Sequence, residues 1–180
     1  AIYLFLRRMK IPMLYILLSI AVITFGTNLF HYVVYAPTYA HVYSFACSSW
    51  ILYISMRWVE SNRNIHFIAL GLLIGLSFII RPTNVIILLF TPFFFSSASA
   101  FLQRLKSLFT QRFLYLLLFI FAIGLPILFH LWNLGALNSY KEEGFDNLLN
   151  PFIYEVLFGV RRGIFFYAPA LLISVVGLVI

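Results

Sequence analysis

Charge is the first thing this sequence has little of. Only 9% of its 180 residues are Asp, Glu, Lys or Arg and just five are acidic, whereas 63% are hydrophobic and the mean hydropathy is +1.02. A soluble domain draws about a quarter of its residues from the charged set, so a free-standing water-soluble fold is excluded and an integral membrane protein is expected. Cysteine is nearly missing too. Cys47, the one thiol, sits in an apolar stretch and excludes a disulfide framework or a thiolate metal site. No Gly-rich loop ends in Lys-Ser/Thr, and no His-Glu-x-x-His, Cys-x-x-Cys or Gly-x-Ser-x-Gly occurs, which leaves ATP hydrolysis and zinc chemistry without support. The net charge of +7 does not point to nucleic acid, because the few cations stand in short connectors between apolar runs.

Those apolar runs define the organisation. About six are long enough, or nearly so, to cross ~30 Å of hydrocarbon: 11–30, 40–58, 65–80, 84–100, 113–134 and 163–180. The expected fold is therefore an all-α, polytopic transmembrane helical bundle in one domain over 1–180. The third and fourth runs are short and meet at "RPTN" (81–84), where Pro82 breaks the helix and restricts Arg81. A tight helical hairpin is favoured there over a re-entrant pair. "GLLIG" places Gly71 and Gly75 at the spacing that lets two membrane helices approach closely. In "FLQRLKSLFTQR", Phe101, Leu102, Leu105, Leu108 and Phe109 share one helical face while Arg104 and Arg112 are available to headgroups, the pattern of an in-plane interfacial helix.

Charge distribution orients the spans. If Arg7, Arg8 and Lys10 are cytoplasmic, alternation puts Arg57, Arg63, Arg104, Lys106 and Arg112 on the same side, eight of the twelve Lys/Arg in all. Glu60 joins them, while Glu142, Glu143, Asp146 and Glu155 fall outside with "RPTN" and the loop from Asn138 to Arg162. Polar groups from separate spans converge on that outer side: His31, Tyr35, Tyr39, His41, Arg81, Asn84, His130 and Asn133. Polar side chains at this depth cost free energy unless they pair or face a wet cavity, so an outer site is expected, against the alternative that the His and Tyr residues are interfacial anchors.

The outer loop is unusually furnished. "NP" at 150–151 offers an N-cap and first-turn proline for a short interfacial helix over "PFIYEVLF", with Phe152, Ile153, Val156 and Leu157 toward the membrane. Arg81, Lys141 and the Arg161/Arg162 pair are the outer cations; a guanidinium binds phosphate bidentately and an ammonium as a point charge. Glu142, Glu143 and Asp146 beside Lys141 suit either a base and sugar-hydroxyl acceptors or an ordinary solvated cluster.

The segments "YAPTYAHVYSF" (35–45), "GLLIGLSFIIRPTN" (71–84) and "LPILFHLWNLGALNSYKEEGFDNLLNPFIYEVLFGVRRGIFFYAPALL" (125–172) together resemble the bacterial GT-C membrane glycosyltransferases, the group related to protein O-mannosyltransferases and lipid A aminoarabinose transferase. The resemblance implies a multi-pass enzyme of the bacterial cytoplasmic membrane. It would take a sugar from a polyprenyl-phosphate donor and pass it to a glycan, lipid or protein acceptor at the outer face. Members usually carry the catalytic aspartate in the first outer loop, a region that would precede Ala1, so a fragment truncated at both ends is expected and no acid here is assigned that role. Arg81, Lys141 and Arg161 are the expected phosphate contacts, Glu143 and Tyr140 would position sugar or loop, and His41 would line the cavity. No residue cluster requires a metal or other cofactor. The competing expectations are a transporter or lipid flippase, which needs similar polar interruptions, and a noncatalytic assembly protein whose outer loop tolerates charge removal.

Overall fold

The computed structural model describes residues 1–110, 112–134, 152–159 and, singly, 165, 168 and 171. Every regular element among them is helical. In order they are α1 (Ile2–Arg8), α2 (Met13–Phe25), α3 (Leu29–Val34), α4 (Ala40–Ser61), α5 (Asn64–Ile80), a 3-10 helix (Pro82–Phe94), α6 (Ala98–Thr110), α7 (Phe113–Leu134) and α8 (Ile153–Phe158). They belong to two compact units, one of Ala1–Lys10 with Ala40–Leu137, the other of Ile11–Tyr39 with Asn138–Ile180.

The all-α class is as expected, but the described helices do not supply six independent spans. One of them, over Phe113–Asn133, is by itself long and apolar enough to cross a membrane. The 3-10 helix and α6 meet that standard only together, across a 114° bend. The run 11–30 is interrupted because α2 stops at Phe25 and the chain turns through Gly26 to Asn28, with the Thr27 hydroxyl donating to the Ile23 carbonyl at 2.6 Å and accepting from Leu29 N–H at 3.2 Å. Helix α4 reaches 22 residues, yet its serines, Arg57 and Glu60 dilute its hydropathy. The run 163–180 lies largely outside the described residues.

The core of the first unit is built on α4, α5 and α6: Ile51, Trp58, Phe67, Leu70, Ile74 and Leu108 form one buried cluster. Aromatic rings tie it lengthwise. Phe67 stacks on Trp58 (5.1 Å, 25°) and on Phe119 of α7 (4.2 Å, 8°). Helix α5 and α7 then run side by side in the same direction through the two glycines. A Cβ on Gly71 would stand 2.7 Å from the Phe119 carbonyl oxygen, and one on Gly75 would collide with the Ile123 carbonyl. The spacing in "GLLIG" therefore serves a backbone-to-backbone approach.

At Arg81 the backbone is extended (φ −158°, ψ 119°), the conformation forced on a residue before proline, and α5 ends. The returning chain is a 3-10 helix of 13 residues, much longer than the three or four usual for this form. It runs parallel to α4 along its length, since Asn84 Nδ2 donates to Ser44 Oγ (3.0 Å), the Thr91 hydroxyl reaches Ser55 Oγ (3.5 Å), and Phe95 meets Trp58 edge-on (6.1 Å). Geometry explains the winding. From residue 44 to 58 an α-helix rises about 21 Å at ~1.5 Å per residue. From 84 to 95 a 3-10 helix rises about 22 Å at ~2.0 Å per residue, so the tighter winding lets a short segment keep pace with a longer neighbour. The chain after "RPTN" thus runs back beside α4 from Ser44 to Trp58.

In the second unit, His31 sits against Tyr32 (5.8 Å) and Tyr35 (5.6 Å), and Tyr32 against Tyr39 (5.9 Å). The expected short helix after "NP" is present as α8, with Phe152, Ile153 and Val156 exposed and Leu157 half-buried.

Candidate functional site

The start of α4, the end of α5, the start of the 3-10 helix and the end of α7 all lie at one end of the first unit, and this end carries the sequence-derived candidates Arg81 and His41. Arg81 is positioned by its backbone: its N–H donates to Ser77 O at 2.9 Å and its carbonyl accepts from Asn84 N–H at 3.0 Å. The side-chain amide of Asn84 is then committed to Ser44, which locks the hairpin tip to α4. His41, one turn nearer the start of α4, is close enough to Arg81 for the two side chains to interact electrostatically. The Arg81 Nε is buried and has no hydrogen-bond partner. Such a donor costs about 1–3 kcal/mol in a neutral group and more in a charged one.

Beside this end, α5 and α7 border a groove of about 1280 Å³. Leu72, Leu76 and Ile79 form one wall and Leu125, Pro126 and Phe129 the other, with His130 and Asn133 among its few polar groups. Asn133 spends its Nδ2 on the Phe129 carbonyl, 2.8 Å away.

Of the six sequence-derived site residues, then, Arg81 and His41 come together; Tyr140, Lys141, Glu143 and Arg161 lie outside the described residues. His31, Tyr35 and Tyr39 belong to the second unit. Sequence reasoning missed Ser44 as the partner of Asn84, although both fall in the quoted motifs. Among the described residues no three His, Cys, Asp or Glu side chains group as metal ligands would. Comparison with protein-family models, with curated proteins and with solved structures returned no match.

Proposed function

We propose that this chain is part of a multi-pass GT-C-type membrane glycosyltransferase that transfers a sugar from a polyprenyl-phosphate donor to an acceptor at the outer face of the bacterial cytoplasmic membrane. The observation that carries the reading is the buried, partnerless Nε of Arg81 beside His41, at the end of the unit that topology assigns to the outside. A guanidinium whose Nε is buried without an acceptor is suited to an anion that arrives with the substrate, and its flat fork matches phosphate. The expected grouping of charges agrees with the reading: Arg8 is paired with Glu60, and Arg104 and Arg112 meet Asn62, so residues expected on one side of the membrane lie together at the opposite end of the unit.

The reaction is a direct displacement. The acceptor oxygen bonds to the anomeric carbon, the bond from that carbon to the phosphate oxygen breaks, and the lipid phosphate leaves with the electron pair while a carboxylate takes the acceptor's proton. Arg81, with Lys141 and Arg161, would stabilise the charge collecting on the phosphate. Tyr140 and Glu143 would hold the sugar, and His41 would line the cavity. The test is release of polyprenyl phosphate by the full-length protein. Arg81→Gln with normal membrane insertion should lose transfer, and an unchanged rate would remove Arg81 from the site.

One feature favours a second reading. The long 3-10 segment and the 114° bend resemble the discontinuous helices of transporters and flippases. Uptake or lipid translocation without sugar release, in the same vesicles, would select it.

A further inference from the structure

At the opposite end of the first unit, two arginines are drawn to one neutral side chain. Asn62 turns the chain between α4 and α5 with a left-handed backbone (φ 52°), a conformation Asn tolerates better than most residues. Its Oδ1 accepts from Arg104 Nη1 and from Arg112 Nη1 (2.7 Å), and Arg112 Nη1 also reaches the Asn62 carbonyl (3.1 Å) and Asn64 Oδ1 (3.0 Å). No carboxylate balances them among the described residues: Glu60, the one acid described in this unit, is taken by Arg8. Burial first, and then the charge of Arg112, hold the Arg104 guanidinium below its ordinary pKa.

Each guanidinium has five N–H donors, and among the described residues both are seen to use only Nη1. Their remaining edges belong to half-exposed side chains. Arg104 lies over the rings of Trp58 (5.7 Å) and Phe95 (6.0 Å), which hold its plane, and the buried Trp58 Nε1 beside it has no acceptor. The same helix carries an exposed apolar strip of Leu102, Leu105 and Phe109, while Leu108 faces the core and Phe101 packs on Phe95 (5.3 Å). The sequence reads as one apolar face, but the structure divides it, leaving three large side chains outward on the helix that carries Arg104, which has no anion among the described residues.

We infer that Arg104 and Arg112 form a headgroup site for an anionic phospholipid of the leaflet in which α6 lies, the phosphate being taken by the two guanidiniums and the acyl chains lying against Leu102, Leu105 and Phe109. Neither the Arg81 site nor sugar transfer is involved, so this site stands or falls separately. Apolar surface alone would fit any lipid; two fixed guanidiniums without a carboxylate select the anionic ones.

The test uses the full chain in nanodiscs with Trp50 and Trp132 changed to Phe, so that Trp58, under Arg104, is the remaining tryptophan reporter. Brominated phosphatidylglycerol should quench Trp58 at about fivefold lower mole fraction than brominated phosphatidylcholine. Arg104→Gln with Arg112→Gln should abolish that preference, whereas Lys106→Gln, a charge loss on the same helix, should leave it. Equal quenching by both lipids in the parent, or an equal loss with Lys106→Gln, would overturn the site in favour of diffuse surface charge. Should the double variant fail to insert, the parent still decides: millimolar glycerol phosphate leaves the preference intact if the headgroup is membrane-held, and abolishes it if the site takes soluble phosphate, which would overturn the lipid assignment.

Discussion

Arginines at the two ends of the first unit are held in opposite ways. At the Asn62 end, Arg8, Arg104 and Arg112 each have a named acceptor, and two of them help fix the α4–α5 turn. At the other end, Arg81 is fixed by its backbone, between the last turn of α5 and Pro82, while its side-chain Nε is buried without a partner. Burial of a charge is tolerable when an acceptor replaces water, and costly when none does. The partnered arginines therefore contribute to the stability of the free protein, whereas the buried Nε of Arg81 is satisfied only when an anion binds. That difference separates cations that also hold the fold of the free protein from one whose Nε is satisfied by nothing in it.

The largest effect expected from this contrast is on catalysis. Arg81→Gln keeps hydrogen-bonding capacity but removes the charge; sugar transfer by the full-length protein should fall by about 10²–10³, the usual cost of one electrostatic stabiliser. Folding should be unharmed or slightly improved, because a buried donor without an acceptor has been deleted. Initial rates of polyprenyl phosphate release, read alongside the detergent melting temperature, separate the two. A variant that transfers normally but melts early would make Arg81 structural and dissolve the contrast.

Next in size is the connection between the ends. Gly75→Leu would drive a side chain into the Ile123 carbonyl, separating α5 from α7 and distorting the groove above. A loss of at least about 3 kcal/mol is expected, at the upper end of overpacking costs. Gly124→Leu on α7 is the control, since a Cβ there meets nothing within 4 Å and the melting temperature should hold.

Much of this frame was legible. Gly71 and Gly75 announced close helix approach, Pro82 the break, and the cation distribution the grouping of Arg8, Glu60, Arg104 and Arg112 at one end. Hydropathy failed where local chemistry overrode it. Thr27 and Gly26 ended α2 early, and the tighter winding after Pro82 left no periodic signature because a 3-10 segment rich in Ile, Leu and Phe is apolar all round. The Asn62 cluster was illegible for a different reason: its partners are 42 and 50 residues apart, and a window along the chain cannot join them. At the Arg81 end only two of the six expected site residues, Arg81 and His41, are described.

Asn62→Ala sharpens the contrast from the partnered side. It removes the acceptor of two arginines and puts Ala in a left-handed conformation, so about 1–3 kcal/mol should be lost while transfer per folded molecule stays unchanged. Asn62→Gly, which accepts the backbone, isolates the side-chain part.

The smallest effect belongs to the link between α4 and the 3-10 helix. Side-chain hydrogen bonds between membrane helices average only ~0.6 kcal/mol, because the separated helices find other partners. Thr91→Val removes a long 3.5 Å contact to Ser55 and should cost no more than that. Asn84→Leu removes a 3.0 Å bond at the hairpin tip that also holds the segment following Arg81 against α4. Its stability cost should be similarly small, yet transfer should drop severalfold, since the tip carries the guanidinium. If the two substitutions leave transfer equally untouched, the Asn84–Ser44 bond is only glue, and Arg81 is placed by the proline break alone.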